Sequence, residues 1–186
     1  EFLILTKSAR FGGNCVVGLD LQTKKLIRLV TNNEKIKNSL SDYNMMYKNG
    51  VLAIPTDIVR IKILSPVPTN IQSENVLLDC SYMWEKVKNA TLKDILPFIS
   101  HDDFIFNNNL AYLTESNIEE SKKSIMLIKV KNVILHTQDI QYDNGEVKEK
   151  TKINFTYNSR QYVNLSVTDR DYFGKNSHNK FYGNYL

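Results

Sequence analysis

Short runs of apolar and β-branched residues recur through most of this chain, and polar turn signals separate one run from the next. The first three runs cover residues 2–6, 15–20 and 26–30, with paired glycines at Gly12 and Gly13 after the first run. Runs of this length, bounded by glycine and polar turns, are typical of β-strands joined by hairpins. The spacing predicts small antiparallel barrels rather than a helical bundle or a doubly wound sheet.

One later run shows a clear alternation of side chains. Arg60 and Lys62 fall on one face of this run, whereas Val59, Ile61 and Ile63 fall on the other. Because successive side chains of a strand point to opposite faces, the pattern predicts a half-exposed strand with a basic outer surface.

The middle of the chain has helical rather than strand character. Two segments, residues 81–92 and 117–122, are predicted as helices. Trp84 lies in the first segment, and we expect it to pack that helix against the end of a barrel, because tryptophan is highly buried on average.

Strand patterning returns in the last third of the chain. Runs at residues 124–135, 148–157 and 161–167 are predicted as strands. Turn-forming residues at 143–145 and 158–159 separate these runs, which is typical of hairpins. The second half of the chain therefore predicts a small antiparallel barrel of its own.

Formal charge is segregated along the chain. Residues 1–65 hold 10 Lys or Arg and 5 Asp or Glu, a net charge of +5. Residues 66–121 hold 3 against 9, a net charge of −6, and residues 122–186 hold 11 against 6, a net charge of +5. Two basic segments flanking an acidic one predict two functional modules, and basic modules favour anionic partners such as nucleic acid.

We therefore predict a mainly β protein with minor α content, built as two small barrels in tandem. The first module covers residues 1–78, and the second covers residues 122–186. A partly helical, acidic connector, residues 79–121, joins them. Residues 184–186 look like the opening of a further strand, and a closed five-stranded barrel needs more chain. The second module is therefore expected to be incomplete at its C-terminus.

Cysteine content and hydropathy limit the class of protein. Only Cys15 and Cys80 are present, without a CxxC pair, which argues against a disulfide framework and against a zinc site built from cysteines. We expect both thiols to be buried in a reducing compartment and the protein to be cytoplasmic. No apolar run approaches the roughly 20 residues that cross a bilayer, so no membrane partner is expected.

The triplet His101-Asp102-Asp103 is the strongest candidate for catalysis, because it offers groups for metal binding or acid–base chemistry. A polar loop of this kind is far more often solvated. We therefore predict no catalytic residues, no metal site, no cofactor and no enzymatic activity. An enzyme built around this triplet is the weaker alternative.

Several short motifs follow one another in a distinctive order. They cover residues 5–8, 12–18 and 26–30 near the start and residues 165–169 near the end. In this order they resemble the bacterial dual OB domain-containing proteins, and the resemblance extends over nearly the whole chain. The family pattern has Trp where this chain has Leu26. The resemblance implies two OB-like barrels and a nucleic-acid-binding or sensing role in a bacterial defence-type system.

OB barrels bind oligonucleotides across a strand face and the loops that border it, with cations for the phosphates and aromatic rings for the bases. We therefore expect non-enzymatic binding of single-stranded DNA or RNA. The candidate binding residues are Lys7, Arg10, Arg28, Tyr43, Tyr47, Arg60, Lys62, Arg160 and Tyr162. The alternative is a protein-protein interaction module that uses the same barrels through an exposed strand edge.

Overall fold

The computed structural model describes residues 1–106, 114–169 and 181–183, and these form two compact units. Unit 1 comprises Glu1–Phe98 with Lys122–Ile125, and unit 2 comprises Ile99–Ser121 with Met126–Leu186. Both units are built mainly from strands, so the predicted fold class is confirmed. Among the described residues, no helix combines the length and the apolar character needed to cross a membrane.

Unit 1 begins with an antiparallel meander of three strands. These are β1 (Phe2–Arg10), β2 (Gly13–Asp20) and β3 (Lys25–Val30). The β1–β2 turn uses only Phe11 and Gly12, whose φ angles of 46° and 81° lie in the left-handed region. Positive φ at both central residues matches the twist of a two-residue hairpin. The paired glycines predict a tight turn or a bulge here, and the structure has the turn, with Gly13 as the first residue of β2.

Four further strands extend the sheet of unit 1. They are β4 (Asp57–Arg60), β5 (Ile63–Pro66), β6 (Asn75–Leu78) and β7 (Glu85–Asn89). The strand order is β5-β6-β3-β2-β1-β4-β7. β3 and β6 pair in parallel, and the other neighbours are antiparallel.

The sheet curls into a barrel because one segment of chain contributes to both of its sides. Only residues 61–62 separate β4 from β5, yet β4 pairs with β1 and β5 pairs with β6. The two strands are halves of one bent strand, so the barrel has five members: β1, β2, β3, the β4–β5 pair and β6. This is the Greek-key barrel of an OB fold, with β7 added beside β4.

The segment after β6 differs from its predicted structure. The sequence predicts a helix over residues 81–92, but the middle of this segment forms β7, which hydrogen-bonds to β4. Pairing with the free edge of β4 overrides the weak local preference for helix. Trp84 is 1% exposed in the barrel core and does not anchor a helix. Unit 1 therefore continues to Phe98, beyond the module boundary predicted at residue 78.

The helical elements are short. They are two 3₁₀ helices at Glu34–Ile36 and Asp42–Met45, α1 at Leu92–Ile95, a 3₁₀ turn at Leu96–Phe98, and α2 at Glu115–Ser121. The N–H and the Oγ1 of Thr91 both donate to Asp94, which caps the start of α1. α2 confirms the helix predicted at residues 117–122.

The curled sheet of unit 1 buries side chains on both of its faces. Phe2 and Val59 belong to the core inside the barrel, which includes twelve buried residues. Leu3 and Ile58 lie on the opposite face, where side chains of α1 and the turn that follows it cover them. Arg60 is exposed as predicted, but the outer face of β4 is buried at Ile58, so only part of this strand is half-exposed.

Unit 2 contains a four-stranded sheet with the order β10-β9-β8-β11. Its strands are β8 (Lys131–Gln141), β9 (Val147–Tyr157), β10 (Arg160–Ser166) and β11 (Phe181–Gly183). β8, β9 and β10 form an antiparallel meander, and β11 pairs antiparallel with β8, as β4 pairs with β1. These strands therefore pair like the first four strands of an OB barrel.

The turns of unit 2 lie where the sequence predicts them. Asn158 and Ser159 have φ angles of 45° and 63°, as a two-residue hairpin requires. Gly145 has a φ of 79° at the end of a three-residue loop that the Tyr142 N–H closes on the Glu146 carbonyl at 2.8 Å. β8 begins later than residue 124, the start that the apolar pattern predicts. Residues 184–186, where the opening of a further strand is expected, lie outside the described residues.

The described core of unit 2 is one cluster. Four of its members are buried, namely Val133, Phe155, Tyr157 and Tyr162. The rings of Phe155 and Tyr162 stack with their centroids 5.5 Å apart, which joins β9 to β10. Tyr162 thus serves packing within its own unit.

Candidate functional site in unit 1

A cleft of about 270 Å³ opens on unit 1, and we call it the unit 1 cleft. Its lining residues come from the end of β1, from β2 and β3, from the segment after β3, and from the β5–β6 loop with β6. They are Arg10, Cys15, Arg28, Leu29, Val30, Thr31, Asn32, Lys37, Asn38, Ser39, Val67, Thr69, Gln72, Asn75 and Leu77. This lining contains three cations and no Asp, Glu or His, so the site is electropositive.

Arg28, in the middle of β3, is the most buried cation of the cleft, with 7% of its surface exposed. Its Nη1 donates to Asn75 Oδ1 at 3.1 Å, and its Nη2 donates to Ser124 Oγ at 3.1 Å. Its buried Nε has no hydrogen-bond acceptor among the described residues. The guanidinium is therefore oriented by two neutral side chains and keeps donor capacity unused.

The charge of Arg28 is compensated only indirectly. None of the ion pairs in the described part of the chain includes Arg28. Glu74 accepts hydrogen bonds from the N–H and the Oγ of Ser124 at 2.6 and 2.7 Å, so Ser124 stands between this carboxylate and the guanidinium. A buried cation without a direct carboxylate partner costs free energy unless an anion reaches it.

An exposed aromatic ring lies beside two of the cleft cations. Phe11, in the β1–β2 turn, is 53% exposed. The Arg10 guanidinium lies 5.3 Å and the Lys37 ammonium 4.2 Å from the centroid of its ring. Both distances fall within the range of cation–π interactions. The β1–β2 turn thus presents a ring flanked by positive charge.

The close approach of two chain segments holds Lys37 near this turn. Asn14 in β2 and Leu40 exchange both backbone hydrogen bonds, at 2.7 and 2.9 Å. A Cβ at Gly13 would lie 2.6 Å from Ser39 Oγ and 2.8 Å from Leu40 O, so a larger residue cannot replace this glycine without displacing the segment. Gly13 therefore serves the packing of the segment that carries Lys37.

The structure brings together only two of the cations predicted from the sequence. Arg10 and Arg28 line the unit 1 cleft, whereas Lys7, on β1, does not. Arg60 lies outside the cleft and pairs with Glu85 at 3.0 Å. The sequence shows that these side chains are cationic, but only the fold shows which of them line the cleft.

Lys62 is also engaged in an ion pair outside the unit 1 cleft. Its ammonium lies 2.9 Å from Asp79 Oδ2. Hydrogen bonds from Ser81 and Lys62 lower the pKa of Asp79 to about 2, so this carboxylate is ionised at neutral pH and holds Lys62. The outer surface near β4 and β5 is therefore of mixed charge.

The predicted aromatic residues are largely misassigned. Tyr43 is 71% exposed but does not line the cleft. Tyr47 is buried, and its hydroxyl donates to Asp57 Oδ2 at 2.6 Å; burial and this carboxylate raise the pKa of Tyr47. Tyr162 is buried against Phe155. Base stacking needs an exposed ring face, so the stacking roles predicted for Tyr47 and Tyr162 are wrong.

Phe11 is not among the binding residues predicted from the sequence, where the neighbouring glycines indicate a turn. One local signal points to it. An aromatic residue at the centre of a two-residue hairpin turn cannot reach the core of the sheet, so its ring must face solvent.

Arg160, in unit 2, occupies a surface position. Its side chain is exposed, and its guanidinium lies 3.9 Å from the centroid of the Phe104 ring. A cation–π contact of this kind needs no ligand to satisfy it. Arg160 therefore differs from Arg28 in lacking a buried, polar surrounding.

The remaining chemical candidates stand apart from the cleft, except for one thiol. His101 and Asp103 are exposed, and no group of three or more His, Cys, Asp or Glu side chains in the described ranges is placed to hold a metal ion. Cys15 is half-buried in the cleft lining, and Cys80 is exposed, so the expectation that both thiols are buried is wrong. Both are free thiols.

Comparison with known proteins agrees with the strand pairing. A family model described as a dual OB-containing domain matches residues 1–185. No curated protein and no solved structure matches the chain significantly. Because the family match covers nearly the whole chain and the strands of unit 1 pair as in an OB barrel, the predicted membership of the dual OB family is confirmed. The chain belongs to the family of dual OB-containing domains.

Proposed function

We propose that this chain is a non-enzymatic binding protein for single-stranded DNA or RNA and that the unit 1 cleft is its binding site. The observation that carries the proposal is the buried, indirectly compensated guanidinium of Arg28 in the cleft. Phosphate oxygens would supply the missing negative charge and accept charge-assisted hydrogen bonds, for which the arginine fork is well suited.

The position of the cleft supports the same function. OB barrels bind oligonucleotides on the face of their second and third strands and on the loops after their first and fourth strands. In unit 1 these elements are β2, β3, the β1–β2 turn and the β5–β6 loop, and all except the turn contribute residues to the lining. The turn lies next to Arg10 and carries Phe11, which offers a ring for base stacking.

The composition of the lining supports binding rather than catalysis. It consists of cations, amides, hydroxyls, apolar side chains and the Cys15 thiol, with no Asp, Glu or His for acid–base work. We also propose a cytoplasmic location, because both cysteines are free. A role in a bacterial defence-type system is part of the proposal and rests on the family resemblance alone.

Titration of fluorescent oligonucleotides at several salt concentrations tests this function. We expect oligo-dT or oligo-U of about 12 nucleotides to bind with an affinity that falls steeply with salt. Arg10→Ala and Lys37→Ala should each weaken binding and reduce the salt slope by about one unit per lost phosphate contact.

Arg60→Ala is the matched control, because it removes an arginine of the same unit that lies outside the cleft. Its affinity and salt slope should equal those of the wild type. Loss of binding in this variant equal to that in Arg10→Ala would assign the ligand to another surface. If no oligonucleotide binds at low salt, the protein-interaction alternative is favoured and the proposed function is rejected.

A further inference from the structure

The depth of the unit 1 cleft restricts which part of a strand can reach Arg28. The cleft volume of about 270 Å³ lies just below the range of about 300–1,000 Å³ that is usual for small-molecule sites. Lys37 is exposed, Arg10 is half-buried and Arg28 is buried, so burial increases in this order among the three cations. The volume fits one phosphate with part of one nucleotide rather than a stretch of strand.

The chemistry of a strand end matches this depth better than that of an internal phosphate. An internal phosphodiester carries one negative charge and two sugar substituents, and both sugars would have to enter the cleft with it. A terminal phosphomonoester carries a charge of about −1.5 to −2 at pH 7, has one substituent and presents three free oxygens. It therefore brings more charge with less bulk to a buried cation.

The groups around Arg28 are arranged to hold it for such an anion. Asn75 accepts from Arg28 Nη1 through its Oδ1 and donates through its Nδ2 to Gln72 Oε1 at 3.2 Å. This fixes the amide so that its oxygen faces the guanidinium. Ser124 fixes the Nη2 end. Because no carboxylate in the described part of the chain pairs with the guanidinium directly and its Nε has no acceptor there, it retains donors for a ligand.

We propose that the unit 1 cleft binds the terminal phosphate of a single strand and that Arg28 is its principal ligand. This inference rests on the proposed function and narrows it from strands in general to strands with a phosphorylated end. Arg10 and Lys37 neutralise the phosphates that follow at the mouth of the cleft, and Phe11 stacks on a base near the end.

Binding of four forms of one oligonucleotide of about ten nucleotides tests the inference. The forms carry a 5′-phosphate, a 3′-phosphate, hydroxyls at both ends, or a circular backbone without ends. We expect at least one phosphorylated form to bind about tenfold or more tightly than the hydroxyl-ended and circular forms. A gain of this size corresponds to one additional charge-assisted hydrogen bond. Arg28→Gln should remove this preference while retaining weaker, salt-dependent binding. Arg60→Gln, the control, should keep it.

Two results separate the failure of this inference from failure of the proposed function. Equal affinity for all four forms, with weakened binding in Arg10→Ala, overturns end recognition and leaves strand binding intact. Absence of binding to every form overturns both.

Competition on the wild-type protein covers the case in which Arg28→Gln does not fold. A nucleoside 5′- or 3′-monophosphate in millimolar excess should displace the phosphorylated oligonucleotide, and the nucleoside should not. If the nucleoside competes equally well, phosphate recognition is rejected. If the monophosphate binds as tightly as the oligonucleotide, the strand contributes nothing and the ligand is a free nucleotide, which also overturns the inference.

Discussion

Unit 1 and unit 2 share the pairing of their first four strands but differ in how they bury their side chains. Unit 1 covers both faces of its sheet, with one core inside the barrel and a second beneath α1. Unit 2, within its described residues, has one cluster of four buried side chains, and β8 and β9, with eleven residues each, have many exposed positions. The described parts of the two units thus share a strand pairing pattern but differ in the number of side chains that they bury.

The comparison extends to the arginines on the third strand of each meander. Arg28, on β3, is buried among neutral polar groups in a cleft. Arg160, on β10, is exposed and contacts the Phe104 ring. Sequence position and charge are similar, so burial is the property that distinguishes a candidate ligand-binding cation from a surface charge.

The largest expected effect tests whether the core of unit 1 is the more rigid of the two. Trp84→Ala should cost about 3–5 kcal/mol in the free energy of unfolding, because the ring is buried in a dense core that cannot collapse around the cavity. Phe155→Ala should cost less, about 2–3 kcal/mol, because its smaller cluster can relax. Urea titration followed by circular dichroism measures both values. An equal or larger loss for Phe155→Ala contradicts the comparison.

The second effect is an acid sensitivity specific to unit 1. Burial raises the pKa of Asp57, but hydrogen bonds from Lys86, Tyr47 and the Ile54 N–H outweigh burial, so the net pKa lies below its ordinary value of 3.8. A carboxylate with a lowered pKa stabilises the fold fully above its ordinary pKa, and this stabilisation is lost as the pH falls through the folded-state value.

Hydrogen exchange of the backbone amides of β4 and β9, measured between pH 5 and pH 2.5, tests this sensitivity. The exchange rate at each pH is corrected for the intrinsic rate at that pH. Protection at β4 should fall at the acid end more than protection at β9, whose buried polar side chain, Thr151, does not titrate. In Asp57→Asn, β4 should be less protected at pH 5 and should change less with pH. Parallel loss at both strands in the wild type counts against a role for Asp57.

A smaller effect concerns the two arginines. Arg28→Met should change the free energy of unfolding by no more than about 1 kcal/mol, because relief of the desolvation cost offsets the lost hydrogen bonds. Arg160→Met should also have little effect on stability. The two variants should separate in oligonucleotide binding, which only Arg28→Met weakens. A large destabilisation by Arg28→Met, of about 3 kcal/mol or more, would indicate a structural role instead.

The smallest effect concerns the exposed ion pair of β4. Arg60→Ala should change the free energy of unfolding only slightly, because solvent and salt screen the Arg60–Glu85 pair at the surface. Thermal unfolding at low and high salt measures it, and the difference between wild type and variant should shrink as salt is added. A difference that is independent of salt would mean that the arginine stem, not its charge, carries the effect.

Local features of the two units follow from the sequence alone. The hairpin turns at Phe11-Gly12, Gly145 and Asn158-Ser159 depend on residues that tolerate positive φ or are forced into it by a two-residue connection. The meanders β1–β3 and β8–β10 follow from short apolar runs between such turns. Steric preferences of adjacent residues decide these features, and adjacent residues are what a sequence displays directly.

Other features depend on partners that are remote in the chain. The segment at residues 81–92 is predicted as a helix, but part of it forms β7 because β4 has a free edge with which it can pair. The strand at residues 57–66 divides into β4 and β5 because its two halves pair with different strands. The sequence alone reveals neither the free edge of β4 nor the division of this strand, because strand pairing joins segments that are far apart in the chain.

The character of the candidate site also depends on remote partners. Arg28 meets Asn75 and Ser124, which lie 47 and 96 positions further along the chain, whereas Tyr47 and Tyr162 turn inward to pack. The residue types alone suggested cations and aromatic rings for nucleic acid. Which of them face a cleft and which enter the core is a matter of burial, and burial is decided only when distant segments pack together.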